Sequence, residues 1–566
     1  MNSRGERHKS EEGTTGRPLP TVEKELMVLR YYDAVIVGAG MSGIYQAHRL
    51  LQLGFTVKVL DNADGPGGTW WWNRYPGAMS DTHSPLYRYS WDKEDLQTYA
   101  WSHNYLDSKE CLAYLNHVVD RHDLRRCMQF NTQVLSMKWD EEDYLWSVHT
   151  SDGVFTARYV VSALGLLSQP NWPSIPGRDS FRGELYHTAR WPETYDFANK
   201  KVGVIGNGST GVQLITTIAP KVGSLLSFQR TPQYSIPAMR RAVPSEERDE
   251  VNRTYDELWS RARTSFAGAG FVESTVKAFD VTAEERERIY QECWDQGSGI
   301  RFLLGAFADL ATDEAANETA CEFIRSKIAQ IVRDPEKRRK LTPKTLYNRR
   351  PLCDTGYYEA FNRENVDIVD VRENPIAEIT ATGARLADGT FHPLDVLICA
   401  TGFNAFDGAY RKLHIEGRNG VSLNEQWRDG PTTNMGVACH GFPNLFMVLG
   451  PKSPLANVPP MVEAHVDFIT AAIEHVEALR RPGTKQETGP GKKVAMQSTQ
   501  KGDEEWGTLC DSISDKMIFK SAESYFYGGN VEGKVRSTLV FFGGMGAFGQ
   551  KLSESADSGF PSFEIV

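Results

Sequence analysis

Two copies of one glycine-rich turn, each set between a strand and a helix, constrain this chain more than any other feature. In the first, Asp33–Val37 is a short apolar run with β-branched residues, as a strand buried on both faces should be. Gly38-Ala-Gly40-Met41-Ser42-Gly43 follows at once. Ile44–Leu53 then reads as a helix stopped by Gly54, and Phe55–Leu60 as a second strand ending on Asp61. This is the G-x-G-x-x-G arrangement in its required setting, with an acid 23 positions after the first glycine. The glycines admit a tight turn and let a diphosphate approach the helix N-terminus, while Asp61 can accept from a ribose hydroxyl.

The second copy runs from the strand Lys201–Ile205 through Gly206-Asn207-Gly208-Ser209-Thr210-Gly211 into a helix over Val212–Ala219. Its next strand, Leu225–Gln229, ends not on an acid but on Arg230-Thr231. An acid there would repel a 2′-phosphate, whereas arginine can form charge-assisted bonds with one. The first site therefore suits the unphosphorylated ribose of FAD, and the second suits NADPH. Two dinucleotides in one chain point to a flavin reduced by a nicotinamide, on an α/β scaffold with two Rossmann-like domains.

At 566 residues the chain has room for roughly three to four units. Its formal charge of −10 argues against nucleic acid or an anionic membrane surface as partner. No run reaches the ~18 apolar residues of a membrane span. Met1–Leu19 is polar and charged, unlike a signal peptide, so residues 1–30 are expected to be a disordered leader. The eight cysteines contain no C-x-x-C pair, which suggests reduced thiols in a cytoplasmic protein. It also sets aside flavoenzymes that pass electrons through a redox-active disulfide, and no metal site is expected.

Residues 31–175 and 395–566 are assigned to the FAD-binding domain and 176–243 and 346–394 to the NADPH-binding domain. Residues 244–345 are charge-dense and helical, with a capping-box start at Thr282-Ala-Glu-Glu285, and read as a helical insertion in the NADPH domain. Val462, Val466, Ile469, Ile473 and Val476 form one apolar helical stripe facing a core. Pro482–Lys493 reads as a mobile loop.

Two longer motifs narrow the chemistry. Phe181-Arg-Gly183-Glu-Leu-Tyr-His187-Thr-Ala-Arg-Trp191 matches F-x-G-x(3)-H-x(3)-W, and Gly67-Gly-Thr69-Trp70-Trp-Trp-Asn73-Arg-Tyr75-Pro-Gly77 leads to Asp81. In order around two dinucleotide turns, they resemble the type I Baeyer–Villiger monooxygenases. The similarity runs from about Tyr31 through the C-terminal region and looks closest to the cyclohexanone monooxygenase branch, with members acting on bulky or fused-ring ketones also alike.

The resemblance implies FAD, NADPH and molecular oxygen acting on a small-molecule ketone, cyclic or bulky, to give an ester or lactone by way of a flavin peroxide. Carried over by motif, Arg350 is the catalytic arginine and Asp81 its acidic partner. Arg349 joins Arg230 and Thr231 at the NADPH phosphate. Trp70, Thr69, Asn73 and Tyr87 lie against the flavin, and Val134 fits the adenine-side contact. His187 is read as a structural residue coupling the domains in preference to a general base. Where the family often has Ser-Trp-x-x-Gly-x-Asn, this chain has Ser524-Tyr525-Phe-Tyr-Gly-Gly-Asn530. The smaller Tyr525 leaves both cofactor grip and pocket size open. Related flavin monooxygenases that oxygenate amines or sulfides, a flavin reductase serving a protein partner and a non-catalytic redox sensor are the rival readings. A monomer or weak oligomer is expected.

Overall fold

The computed structural model describes residues 30–480 and 492–566. The expected leader, Arg30 apart, and most of the expected loop over Pro482–Lys493 lie outside the described residues.

The first domain is built on the strand Arg30–Val37, whose last four residues are fully packed. It pairs in parallel with Val57–Leu60 on one side and Gly153–Ser162 on the other. The latter strand is the hub of the eight-stranded sheet. Its first half runs antiparallel to Leu145–Thr150, and its last residues run parallel to Leu445–Met447. Val134–Asp140 and His414–Glu416 complete one edge and Met128–Gln129 the other. The helix Met41–Gln52 covers one face, and the helix Val458–Arg480 packs against it. The stripe Val462, Val466, Ile469, Ile473 and Val476 is completely buried, as its spacing requires.

The second domain is a five-stranded parallel sheet in the order Val366–Asp370, Ser224–Gln229, Lys201–Ile205, Val396–Cys399, Glu184–His187. This corrects the expected boundary at 395. Val396-Leu-Ile-Cys399 is apolar on both faces and lies between Lys201–Ile205 and Glu184–His187, so the chain returns to the first sheet only at His414–Glu416. Phe519, Phe526 and Phe542, expected in the first domain, also pack into the core of the second. An apolar run states that it must be buried. It does not state against which sheet.

The insertion leaves from Ser235–Pro237 and returns on Leu352–Asp354, which pair in parallel, Ser235 opposite Leu352. It is divided between the domains. The helix Tyr255–Thr264 buries Trp259 and Ala262 in a cluster with Leu86 and Leu96, residues of the first domain. The helices Ala283–Gln296, Gly299–Gly305 and Glu314–Ile331 instead enlarge the core of the second. Thr282 caps the first of these by accepting from the Glu285 N–H at 3.2 Å. The Glu285 carboxylate pairs with Arg288 at 2.6 Å and not with the cap, so half of the capping box forms.

Two linkers join the domains side by side. The Asn171 N–H donates to the Gly402 carbonyl, the Asn404 N–H to Gln169 and the Phe406 N–H to Leu166, each at 2.9 Å.

Ile469→Ala should cost about 2–5 kcal/mol, because the Met41–Gln52 and Val458–Arg480 interface cannot close over the lost volume. The check is the denaturant midpoint of the variant against wild type, and a change below ~1 kcal/mol would show that this helix pair is loosely packed.

Candidate active site

Both glycine turns end at the N-terminus of a helix and open on one cavity of about 1550 Å³. The turns repeat each other closely. Gly38 at φ +113° and Gly206 at φ +104° hold the left-handed geometry, and a Cβ on either would strike a carbonyl, that of Ala163 or Ala400. Gly43 and Gly211 do not reach the cavity. Each lies beneath its own turn against the carbonyl of Gly38 or Gly206, so close packing of helix on turn requires glycine there.

In the first cradle Asp61 holds the turn itself, accepting from Ala39 N–H at 2.6 Å and Ala63 N–H at 2.8 Å. Burial raises its pKa, and these N–H groups and Arg190 oppose the rise. Gly38, Gly40, Met41, Ser42 and Val134 share the cavity wall with it. Thr69, Trp70, Asn73 and Tyr87 line the next stretch. The Trp70 indole donates to the Tyr87 hydroxyl at 3.1 Å with the rings edge to face, and Asn73 is tied to the Thr69 carbonyl at 2.9 Å.

In the second cradle Gly206, Asn207, Gly208, Ser209 and Thr210 face the cavity. Arg230 and Thr231 follow the strand Ser224–Gln229, and Arg349 comes from the chain returning out of the insertion. A third guanidinium, missed in the sequence, joins them. Arg372 follows the neighbouring strand Val366–Asp370 and donates to the Thr231 hydroxyl at 2.8 Å. Its signal was available: a basic residue just past the carboxyl end of a parallel strand, where such sheets bind ligands. Burial lowers the Arg349 pKa, the charges of Arg230 and Arg372 lower it further, and Glu523 opposes them. Clustered like charge of this kind favours an anion among the three groups.

Arg350 and Asp81 form an ion pair between the cradles. Arg350 also donates to the Ser209 hydroxyl at 3.2 Å and to the Pro351 carbonyl at 3.1 Å. The side chains keep 28% and 20% of their surface, and both line the cavity. Burial would lower the Arg350 pKa, but Asp81 and the Tyr525 phenol outweigh it and hold the group above the ordinary arginine value. Tyr525 lies beside the pair and stacks on Phe406, and burial pushes its hydroxyl up to about 12.

His187 stands outside the cavity wall, almost fully buried at the end of the strand Glu184–His187. Its Nδ1 accepts from the Ala189 N–H at 3.1 Å, so Nε2 carries the proton and donates to the Asn171 carbonyl at 3.4 Å. Thr401, from the other linker, donates to the same carbonyl at 2.6 Å. Burial lowers the His187 pKa to about 4. The residue is a neutral joint between the linkers.

The residues fit two dinucleotides. A Cβ on Gly208 would meet nothing within 4 Å, so no protein contact requires glycine there, and the space suits the close approach of a diphosphate. Asn348 Oδ1, Ser524 Oγ and Asn530 Oδ1, all on residues of the wall, are buried without a partner. All eight cysteines are free and buried.

Two dinucleotide cradles opening on one cavity, with a fixed arginine–aspartate pair between them, define a two-nucleotide flavoprotein oxidoreductase. A family model described as pyridine nucleotide-disulphide oxidoreductase matches residues 35–230, which span both turns. The chain is 42% identical to cyclohexanone 1,2-monooxygenase of an Acinetobacter species, over 94% of this chain and 96% of that protein. It is also 42% identical to a phenazine N-monooxygenase of Lysobacter antibioticus, over 94% and 97%. The crystal structure of cyclohexanone monooxygenase from Rhodococcus sp. Phi1 bound to NADP+ superposes with a TM-score of 0.92 at 48% identity, covering 95% of this chain and 99% of that one. The chain belongs to the Baeyer–Villiger monooxygenase family, the NADPH-dependent flavin monooxygenases that hold FAD and NADP(H).

A histidine held near pKa 4 against an ordinary 6.5 favours folding in its neutral form. That contribution is complete above pH 6.5 and is lost as pH falls from 6.5 towards 4. His48, His83 and His465 share the direction, also through burial. His187→Gln should therefore flatten, without abolishing, the fall of the unfolding midpoint between pH 7 and 4. An unchanged slope would show that His187 does not titrate with folding.

Proposed function

We propose that this enzyme inserts one atom of molecular oxygen beside the carbonyl of a cyclic or bulky ketone to give a lactone or ester, with Arg350 as the catalytic residue and Asp81 as its positioning partner. The observation that carries the reading is the Arg350–Asp81 pair standing where the two cradles meet, with Ser209 as a third partner. When bound, the flavin supplies the oxygen-transferring chemistry and the nicotinamide its electrons.

The chain's own part is electrostatic. A guanidinium carries its charge at every working pH and presents planar donors. It can therefore meet the negative charge that develops on the ketone oxygen as the carbonyl carbon is attacked. Asp81 fixes the plane of those donors. The Tyr525 hydroxyl, with a pKa of about 12, keeps its proton at neutral pH and remains a donor beside them. Arg230, Arg349 and Thr231 take the 2′-phosphate of NADPH, and Arg372 supports Thr231.

No helix among the described residues is long and apolar enough to cross a membrane. We place the enzyme in the cytoplasm as a monomer or weak oligomer, without nucleic-acid or membrane partners. Oxygenation of an aromatic ring nitrogen is the second reading, favoured by the 42% identity to a phenazine N-monooxygenase. Cyclohexanone, a fused-ring ketone and phenazine assayed side by side, with products identified by mass, decide between them.

Arg230→Ala should weaken NADPH by roughly ten-fold or more, since a charge-assisted bond is worth about 1.5–3 kcal/mol, and leave NADH nearly unchanged. Equal losses for the two cofactors would make the side chain structural. Arg350→Ala should still bind FAD and oxidise NADPH, but release hydrogen peroxide in place of ester. Arg350→Lys keeps the charge and loses the planar fork, so it should recover little. Ester formed per NADPH consumed is the measurement, with peroxide quantified alongside. A folded Arg350→Ala enzyme with the wild-type ratio would overturn the assignment.

A further inference from the structure

Five arginines line the cavity. Arg350 has Asp81, and Arg230, Arg349 and Arg372 form the group assigned to the 2′-phosphate. Arg190 is left over.

It follows His187 on the connection out of the second sheet, yet its head lies against the first domain. The guanidinium carbon stands 4.1 Å from the centroid of the Trp72 ring, in the short helix Thr69–Trp72. Nη1 donates to the Ala189 carbonyl at 2.7 Å and Nη2 to the Ser168 carbonyl at 3.5 Å. Neither acceptor carries charge. Among the described residues no carboxylate lies within ion-pair distance of it.

Stacking on an indole fixes the plane of a guanidinium and leaves its remaining N–H groups directed outward. Burial lowers the Arg190 pKa, and the opposing charge of Asp61 works against that fall. Asp61 is already committed, however, to the Ala39 and Ala63 N–H groups. The first of those bonds lies inside the turn Gly38–Gly43, and Arg190 lines the same cavity as that turn. A partly desolvated cation whose opposing charge lies beyond ion-pair distance is costly to hold. A diphosphate on that turn would remove the cost.

We propose that Arg190 is an FAD-binding residue lent by the second domain, its guanidinium meeting the diphosphate of the flavin dinucleotide seated on the first glycine turn. The inference rests on the reading of that turn as the FAD site and adds a residue from the other domain to it. FAD is then gripped from both sides of the domain boundary, so the grip depends on how the domains are set.

The test is titration of apoprotein with FAD, followed by flavin fluorescence at low and high salt. Arg190→Gln, Arg190→Lys and Trp72→Leu are compared with wild type. Arg190→Gln should weaken FAD by about ten-fold or more at low salt, and the gap should narrow at high salt. Arg190→Lys should recover part of it through charge alone. In flavin-saturated Arg190→Gln, NADP+ should bind as in wild type.

Wild-type FAD affinity in Arg190→Gln would overturn the proposal, and so would a shift in NADP+ with FAD unmoved. A salt-independent loss that Trp72→Leu reproduces in full would make Arg190 a domain clamp, with the same consequence. Wild-type apoprotein that takes up no FAD would instead overturn the reading of the first turn on which this one rests.

Discussion

Arg350 and Asp81 are each expensive to remove from bulk water, and each is tolerable in the cavity wall because the other is there. The two residues reach that point by separate routes. Asp81 follows the helix Thr69–Trp72 of the first domain, whereas Arg350 precedes Leu352–Asp354, the strand that returns from the insertion. Ser209, which Arg350 also meets, opens the helix of the second glycine turn. One ion pair thus draws the flavin-side loop, the insertion and the nicotinamide-side turn to a single place. The guanidinium keeps its place only when all three are correctly set.

What holds them is a joint made mainly of polar contacts. The linkers bond to each other as a short ribbon, and His187 ties both to the edge strand of the second sheet. The fully buried Asp407 accepts from Arg411 at 2.6 Å and pairs with Lys534. Asn530 donates to the Phe403 carbonyl at 2.8 Å, and Asn171 donates to the Asn530 carbonyl at 3.0 Å. The segment carrying Tyr525 is thereby fastened to the linkers and presented to Arg350. Hydrogen bonds of this kind specify geometry sharply, because each buried polar group left unpaired is costly.

Much of the scaffold was legible because its signals are local. A strand buried on both faces must be apolar, and a turn that brings a helix N-terminus to a phosphate needs glycine where φ is positive. Gly38 and Gly206 could be placed from the sequence for that reason, and so could the contrast between Asp61 and Arg230 at the ends of the second strands. The 458–480 helix was legible too, since five residues at helical spacing leave one face to bury. The strand Val396–Cys399 shows the limit. Its burial was plain, but its sheet was not, since pairing partners are chosen by hydrogen-bond register across nearly two hundred residues.

The sequence by itself determined that two glycine-rich turns each stand between a strand and a helix, and that an acid follows the first unit and an arginine the second. Tertiary structure alone decided that the insertion is shared between the domains, that Gly43 and Gly211 pack beneath their turns, that Arg372 completes the basic cluster and that Arg190 crosses to the first domain. The division has one physical cause. Backbone conformation and burial are set by neighbours along the chain, whereas the meeting of charges depends on distances in space that the order of residues does not contain.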